Sequence, residues 1–294
     1  MDLPRTQKSR AKITCSLLFE NRKLKIGARR MYVTVINDCH DPLTRNRQVV
    51  RASTLFPATN VSFVAVGNFA DLEASGAIIE TLDAAMDEPG IILANVAPRH
   101  GKAKKWPNGT PFGHIKYRHT DIFATVDGAT LSLIRKYGLA DSIEVYDIPT
   151  VLDAMIKGGK LAEHLREPIT DTQFRSFEFL PRVAKWYFQG MDIPSETHAL
   201  ADFLDAPLAV YSIDNFGNCK TTAWAEDVEH KAGQKIKTAW GEIMCYNRLK
   251  DVPNSEEGII VGSSGYRDHR FIEIVVQGKS AAEHFGIKVG DKIN

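Results

Sequence analysis

The sequence predicts an α/β amino-terminal domain, a layered sheet with flanking helices, followed by a smaller, mostly-β, barrel-like carboxyl-terminal domain. Two observations lead there. From Met31 onward, β-branched runs alternate with helical stretches, and from Ala206 to the end short strands are separated by Gly, Asn and Asp turns. A chain of 294 residues with 44% apolar and 25% charged side chains is long enough for two such cores.

Taken in order, Tyr32 to Ile36 reads as a strand, Thr44 to Leu55 as a helix, Val61 to Val66 as a strand and Asp71 to Met86 as a helix. The pattern continues with strands at Gly90 to Val96 and Asp121 to Val126, a helix at Thr130 to Tyr137 and a strand at Ser142 to Tyr146. In an alternating domain of this kind, the loops at the carboxyl ends of the strands form the expected ligand shelf. A polar, basic stretch from Arg99 to Thr120 interrupts the alternation, and its Pro, Gly and Asn residues at 107 to 113 predict a loop without regular structure. Pro149 to Met191 is helix-rich. The later strands are Ala206 to Ile213, Lys235 to Cys245, Gly258 to Val261 and Phe271 to Val276, and Asp192, Pro194 and Ser195 fit a linker. The expected organisation is a basic extension at 1–30, an α/β nucleoside-binding domain at 31–190, a linker at 191–205 and a β domain at 206–294.

Bulk properties narrow the function. The 37 basic and 36 acidic side chains nearly cancel, so no global field recruits nucleic acid or an anionic membrane, and a small-molecule partner is expected. No stretch approaches the roughly 20 apolar residues of a membrane helix, which makes a cytoplasmic protein the expectation. Cys15, Cys39, Cys219 and Cys245 are scattered without a CxxC pair and read as reduced thiols. The first thirty residues carry nine Lys or Arg against Asp2 and Glu20; they read as a loose basic arm or the product of an upstream start codon rather than a transit peptide.

Several residues carry chemistry. Asp38 follows an apolar strand, where a carboxylate accepts both hydroxyl protons of a ribose or caps the next turn. Asp214-Asn215-Phe216-Gly217-Asn218 is good turn chemistry, and a turn can also present a site. His114, His119 and Asp121 invite a metal reading, but without a recognised ligand spacing they read as a solvated loop. No metal centre is expected.

Ser212-Ile213-Asp214-Asn215-Phe216-Gly217-Asn218, followed by Thr221 and Thr222, resembles the Asp-x-Phe-Gly-Asn-x-x-Thr-Asn segment of the S-adenosylmethionine (SAM) hydroxide adenosyltransferases, relatives of the SAM-dependent halogenases. Ser263-Ser264-Gly265-Tyr266, Ile272-Glu273-Ile274, Ser280-Ala281-Ala282 and Gly290-Asp291 are similar to that family's closing motifs, apart from extra residues at about Arg267 to Arg270. Fainter, collinear similarity places Asn37-Asp38 at the family's Thr-Asp-Phe-Gly and Val126-Asp127-Gly128 at its Pro-Asp-Asn-Gly, so that the resemblance spans about nine tenths of the chain.

The resemblance implies a homotrimer in which SAM, as substrate with no further cofactor, lies between the first domain of one subunit and the β domain of its neighbour. It implies that Asp38 grips the ribose, Asp214 takes the methionine ammonium, Phe216 packs the nucleoside and Asn218 reads adenine edges. Ser263 and Ser264 would hold the methionine carboxylate. The family displaces methionine from the ribose 5′ carbon with water or halide, a reaction that rests on alignment and desolvation because a sulfonium already leaves well. The family's water-orienting Asp, Arg and His, however, fall on Ala97, Lys104 and Phe174 here. Lys104 cannot copy a planar guanidinium fork. His100, in the same loop, is the candidate substitute base with Lys104 beside it, unless the loop is simply a solvated basic surface. The halide-binding positions read His100 and Arg175, which disfavours a halogenase. The expected reaction is SAM and water to adenosine and methionine; the alternative is a catalytically lapsed trimer that binds SAM or adenosine.

Overall fold

The computed structural model describes residues 31–96 and 110–294. Strand β1 (Tyr32–Asn37) leads to helix α1 (Pro42–Leu55), β2 (Asn60–Ala65), α2 (Asp71–Ala85) and β3 (Gly90–Asn95). Then follow β4 (Phe112–Tyr117), β5 (Thr120–Thr125), α3 (Ser132–Lys136), β6 (Ser142–Tyr146), α4 (Ile148–Lys157), α5 (Arg166–Asp171), α6 (Arg175–Glu178), α7 (Leu180–Phe188) and β7 (Glu196–Ala199). The strands make one seven-stranded mixed sheet in the order β2-β1-β3-β5-β4-β6-β7. Strands β2, β1, β3 and β5 are parallel, whereas β4, β6 and β7 join antiparallel.

The apolar runs explain the layering. Alternate residues of a strand face opposite sides, so a strand covered on both faces must be apolar at nearly every position. Ile91 and Leu93 of β3 enter the cluster formed with α1, α4 and α7, while Ile92 and Ala94 enter the cluster with α2 and α3. Each of these isoleucines is fully buried and contributes about 1.5–3 kcal/mol relative to an exposed one. Helix α1 starts where Asp41 accepts from Leu43 N and Thr44 N ahead of Pro42 at its first turn.

Two expectations of this half need correcting. The stretch from Arg99 to Thr120 is not wholly irregular, because Phe112–Tyr117 is β4, paired on both sides. Gly113 does not break the strand; a Cβ there would lie 2.6 Å from Ile143 Cδ1, so the glycine serves close packing. The segment expected as a linker carries β7, a short polar edge strand registered on β6 from Ser142↔Ala199 to Val145↔Glu196.

The carboxyl-terminal part is a curled, half-barrel sheet. It contains β8 (Val210–Ile213), β9 (Cys219–Trp224), β10 (Lys235–Thr238), β11 (Gly241–Tyr246), β12 (Glu257–Tyr266) and β13 (His269–Val276), and helix α8 (Ala281–Phe285) follows. The order is β10-β11-β12-β13-β9-β8. Lys235 to Cys245, read as a single strand, is thus the β10–β11 hairpin, folded at a positive-φ Gly241.

Met31–Asn294 forms one compact unit. Ala209, Tyr211, Tyr266 and Phe271 of the second sheet belong to the same buried cluster as Ile36, Ile78 and Ile92 of the first. Cys219 and Cys245 are free, buried thiols, and burial pushes Cys219 up to about 12; Cys15 lies outside the described residues. Among the described residues no helix is long and apolar enough to cross a membrane.

Candidate functional site

The chain runs from β1 to β2 on one side and then crosses to β3 on the other, so the order reverses between β1 and β3. Ligands of open α/β sheets bind beyond the carboxyl ends of the strands at such a reversal. Asn37, the last residue of β1, registers with Ala65 of β2 and Asn95 of β3. Its amide nitrogen donates to Gln48 Oε1 at 2.7 Å, and its oxygen accepts from Cys39 N at 2.8 Å and Asn95 Nδ2 at 3.4 Å. Gln48 Nε2 in turn donates to Cys39 O at 3.0 Å. Amides bonded to one another in this way hold one geometry, and the loop they hold carries Asp38. Gln48 and Asn95 were not identified from the sequence; the available signal was a polar residue four before Ala52 on the buried stripe of α1.

Asp38 is half-buried and its Oδ2 accepts from Phe69 N at 3.3 Å, where Phe69 stands at φ +61°. Nearby in sequence, Glu73 accepts from Gly67 N at 2.7 Å, and burial raises its carboxyl above the ordinary value. Asp71 Oδ2 accepts from Ala129 N at 2.8 Å. This bond ties the start of α2 to the Val126-Asp127-Gly128 segment beyond β5. Gly128 has φ +74°, and a Cβ there would lie 2.2 Å from Asp71 Oδ2. Asp38 and Asp127 therefore both stand beyond carboxyl ends of parallel strands.

The turn in the second sheet closes on itself. Asp214 Oδ1 accepts from Phe216 N at 2.8 Å and Asn218 N at 2.9 Å, and its Oδ2 accepts from Asn218 Nδ2 at 2.9 Å. Asp214 N donates to Asn218 O and Gly217 N to Asp214 O, each at 3.0 Å. Gly217 takes φ +82°, and a Cβ would come within 2.1 Å of Ser280 Oγ. Phe216, at the tip, is 72% exposed.

The two adjacent serines part company. Register slips between Val261 and Gly265, and this bulge leaves Ser263 exposed while Ser264 is buried and donates to Glu273 Oε1 at 3.3 Å. Burial raises the Glu273 carboxyl, partly offset by Lys220 opposite it on β9. Lys220 also pairs with Glu80 of α2 at 3.1 Å, and Glu80 accepts from the Tyr211 hydroxyl. Thr34, Ser62, Glu73, Glu80, Tyr211 and Lys220 line a cleft of about 420 Å³ between the sheets.

His100 and Lys104 lie outside the described residues, as does Ala97. Phe174 stacks on Phe177 at 5.3 Å, with the Arg47 guanidinium 5.4 Å from its ring, so an aromatic pair occupies the position where the resemblance places an imidazole. Burial pushes the neighbouring Arg175 guanidinium below its ordinary value. His114 is not in a solvated loop. It lies on β4, 7% exposed, with Nε2 2.9 Å from Asp121 Oδ1, and Asp121 is 1% exposed. The ring packs against Phe123 and Tyr187, while His119 is exposed beside the β4–β5 turn. Strand alternation puts His114 and Asp121 on one face, which the polar composition concealed. Among the described residues, no three His, Cys, Asp or Glu side chains are grouped to hold a metal ion.

Among the solved structures that share the fold are the following two. An uncharacterized conserved protein from Thermotoga maritima is 16% identical with a TM-score of 0.63, the match covering 88% of this chain and 98% of that one. A conserved hypothetical protein from Thermus thermophilus is 18% identical with a TM-score of 0.60, over 89% and 97% of the respective chains. No curated protein matches the sequence. Residues 208–294, which contain both the Asp214–Asn218 turn and the Ser263–Gly265 bulge, match the SAM hydroxide adenosyltransferase C-terminal domain. Residues 208–294 are thus similar to the C-terminal domain of the SAM hydroxide adenosyltransferases.

Proposed function

We propose that the protein binds SAM and cleaves it to adenosine and methionine, water forming the new bond to the ribose 5′ carbon as the carbon–sulfur bond breaks. The electron pair stays on sulfur and the water proton leaves to solvent or a base. The observation that carries this reading is the match of residues 208–294 to the family's C-terminal domain, within which the Asp214–Asn218 turn is closed by its own hydrogen bonds. A carboxylate already oriented by three N–H donors needs no reorganisation to receive an ammonium.

In this reading Asp38 accepts from the ribose hydroxyls, Phe216 covers the nucleoside, Asn218 meets adenine, and Ser263 and Ser264 receive the methionine carboxylate. His100 with Lys104 orients the water. The site is completed by a second copy in a homotrimer, a view supported by Phe216, a large aromatic 72% exposed at a turn tip. Incubation with SAM in ¹⁸O-labelled water tests the reaction: adenosine carrying the label at its 5′ oxygen is expected, and no adenosine above a heat-inactivated control overturns it.

One observation favours a second reading, a catalytically lapsed binder: the aromatic pair at Phe174 and Phe177 offers no proton-transferring group. Calorimetric titration that shows SAM and adenosine binding without turnover selects this reading.

A further inference from the structure

Residues Arg267 to Arg270, at the tip of the β12–β13 hairpin, reach the end of α2. Tyr266 pairs with His269 across a turn in which Arg267 takes φ +54°. From this tip Arg267 Nη2 donates to Asp87 Oδ2 at 2.8 Å, and its backbone N–H donates to Asp83 Oδ1 at 3.2 Å. The Tyr266 hydroxyl donates to Asp87 at 3.4 Å and accepts from Tyr117 at 3.1 Å. Asp83 and Asp87 stand at the last turn of α2 and just beyond it, where negative charge opposes the helix dipole unless a cation sits beside it.

Arg270 does more than join the two parts. Its Nη1 lies 2.7 Å from Asp83 Oδ2, 3.0 Å from Ser263 O and 3.1 Å from Gly265 O. Those two carbonyls belong to the bulge, where the β12–β13 register slips. A peptide unit is planar and trans, so a carbonyl held on one side sends the following N–H to the other. Holding Ser263 O directs Ser264 N–H away from Arg270; holding Gly265 O directs Tyr266 N–H, which donates to the Tyr137 hydroxyl at 3.3 Å. Beneath the bulge Glu273 takes the Ser264 hydroxyl, in space that any Cβ on Gly262 would fill, 2.2 Å from the carboxylate.

We propose that Arg270, oriented by Asp83, is a positioning residue that sets the Ser263–Gly265 bulge to receive the carboxylate of the methionine half of SAM, an inference that rests on the SAM-binding reading above. Arg270 does not touch the ligand; it presents the groups that do.

The test compares Arg270→Ala with Arg267→Ala, which removes an arm of the same tip that does not touch the bulge carbonyls. SAM and adenosine are each titrated by calorimetry. Arg270→Ala is expected to weaken SAM by about tenfold or more while adenosine, which lacks the methionine half, stays within about twofold. Arg267→Ala is expected to leave both affinities within about twofold while still lowering the melting temperature. Equal loss for both ligands with Arg270→Ala, or no loss, overturns the proposal. Asp83→Asn leaves every group on the bulge in place and serves if Arg270→Ala does not fold; a SAM-selective loss is again expected, and an unselective one again counts against it. Hydrogen exchange of Gly262 to Gly265 in the ligand-free protein separates this inference from the functional reading. Exchange about tenfold faster in Arg270→Ala supports the positioning role even if the wild type binds neither ligand, and unchanged exchange overturns it.

Discussion

The Asp214–Asn218 turn and the shelf at Asp38 are both built to hold a carboxylate still, by opposite means. In the turn, every bond to the Asp214 carboxylate comes from within four residues. On the shelf, Asp38 depends on Phe69, and its loop depends on Asn37 bonded to Gln48 and Asn95, residues up to 58 positions away. A locally closed site is written in a short motif. A site assembled from distant elements exists only once the sheet and α1 have formed.

The sharpest way to break this contrast is to strike the turn where it has no slack. Gly217→Ala places a methyl against Ser280 at a backbone conformation that L residues rarely adopt, and a loss of about 3 kcal/mol is expected. Urea denaturation measures it, and titration with adenosine should show about a 100-fold weaker complex. On the shelf a remote residue should matter instead. Gln48→Leu strands the Asn37 amide and the Cys39 carbonyl, costs about 2 kcal/mol and weakens adenosine about tenfold without touching it. If affinity holds while stability falls, the amides do not position Asp38.

Asp38→Asn sharpens the comparison from the other direction. The amide oxygen still accepts from Phe69 N, so stability should change by less than about 0.5 kcal/mol while nucleoside affinity drops about tenfold. The smallest effect is a pH dependence at Glu273. Its folded carboxyl is raised above the unfolded value of 4.5, so its contribution to stability is fully present below pH 4.5 and declines as pH rises through the raised value. Glu273→Gln removes that decline. The stability difference between variant and wild type, followed by denaturation across this range, should therefore shift in the variant's favour with rising pH; a constant difference contradicts it.

The same contrast explains what could be read in advance. The strands around Val33, Ile92 and Phe123 announce themselves by composition, and the turn by its Asp-x-Phe-Gly-Asn spelling. β4 was hidden because Gly113 looks like a breaker until Ile143 is packed against it, and β7 because three polar residues and an alanine on an edge carry no apolar signature. His114 and Asp121 resemble a solvated stretch until strand register buries them together. The arginines at 267 and 270 were visible only as surplus length, since their partners Asp83 and Asp87 lie 180 or more residues earlier.

Tyr211 lies so close to α2 that a Cβ on Gly76 would fall 2.2 Å from its ring. Two lobes that open and shut around a ligand need a seam with little to lose, and this one is interlocked down to a single missing methyl group. Hinge bending between the sheets would have to pull Tyr211, Tyr266 and Phe271 out of a buried cluster they share with Ile36 and Ile78. The two sheets should accordingly melt in one cooperative transition, and in the proposed trimer ligand exchange would proceed through loop motion or the parting of subunits rather than by a clamshell stroke.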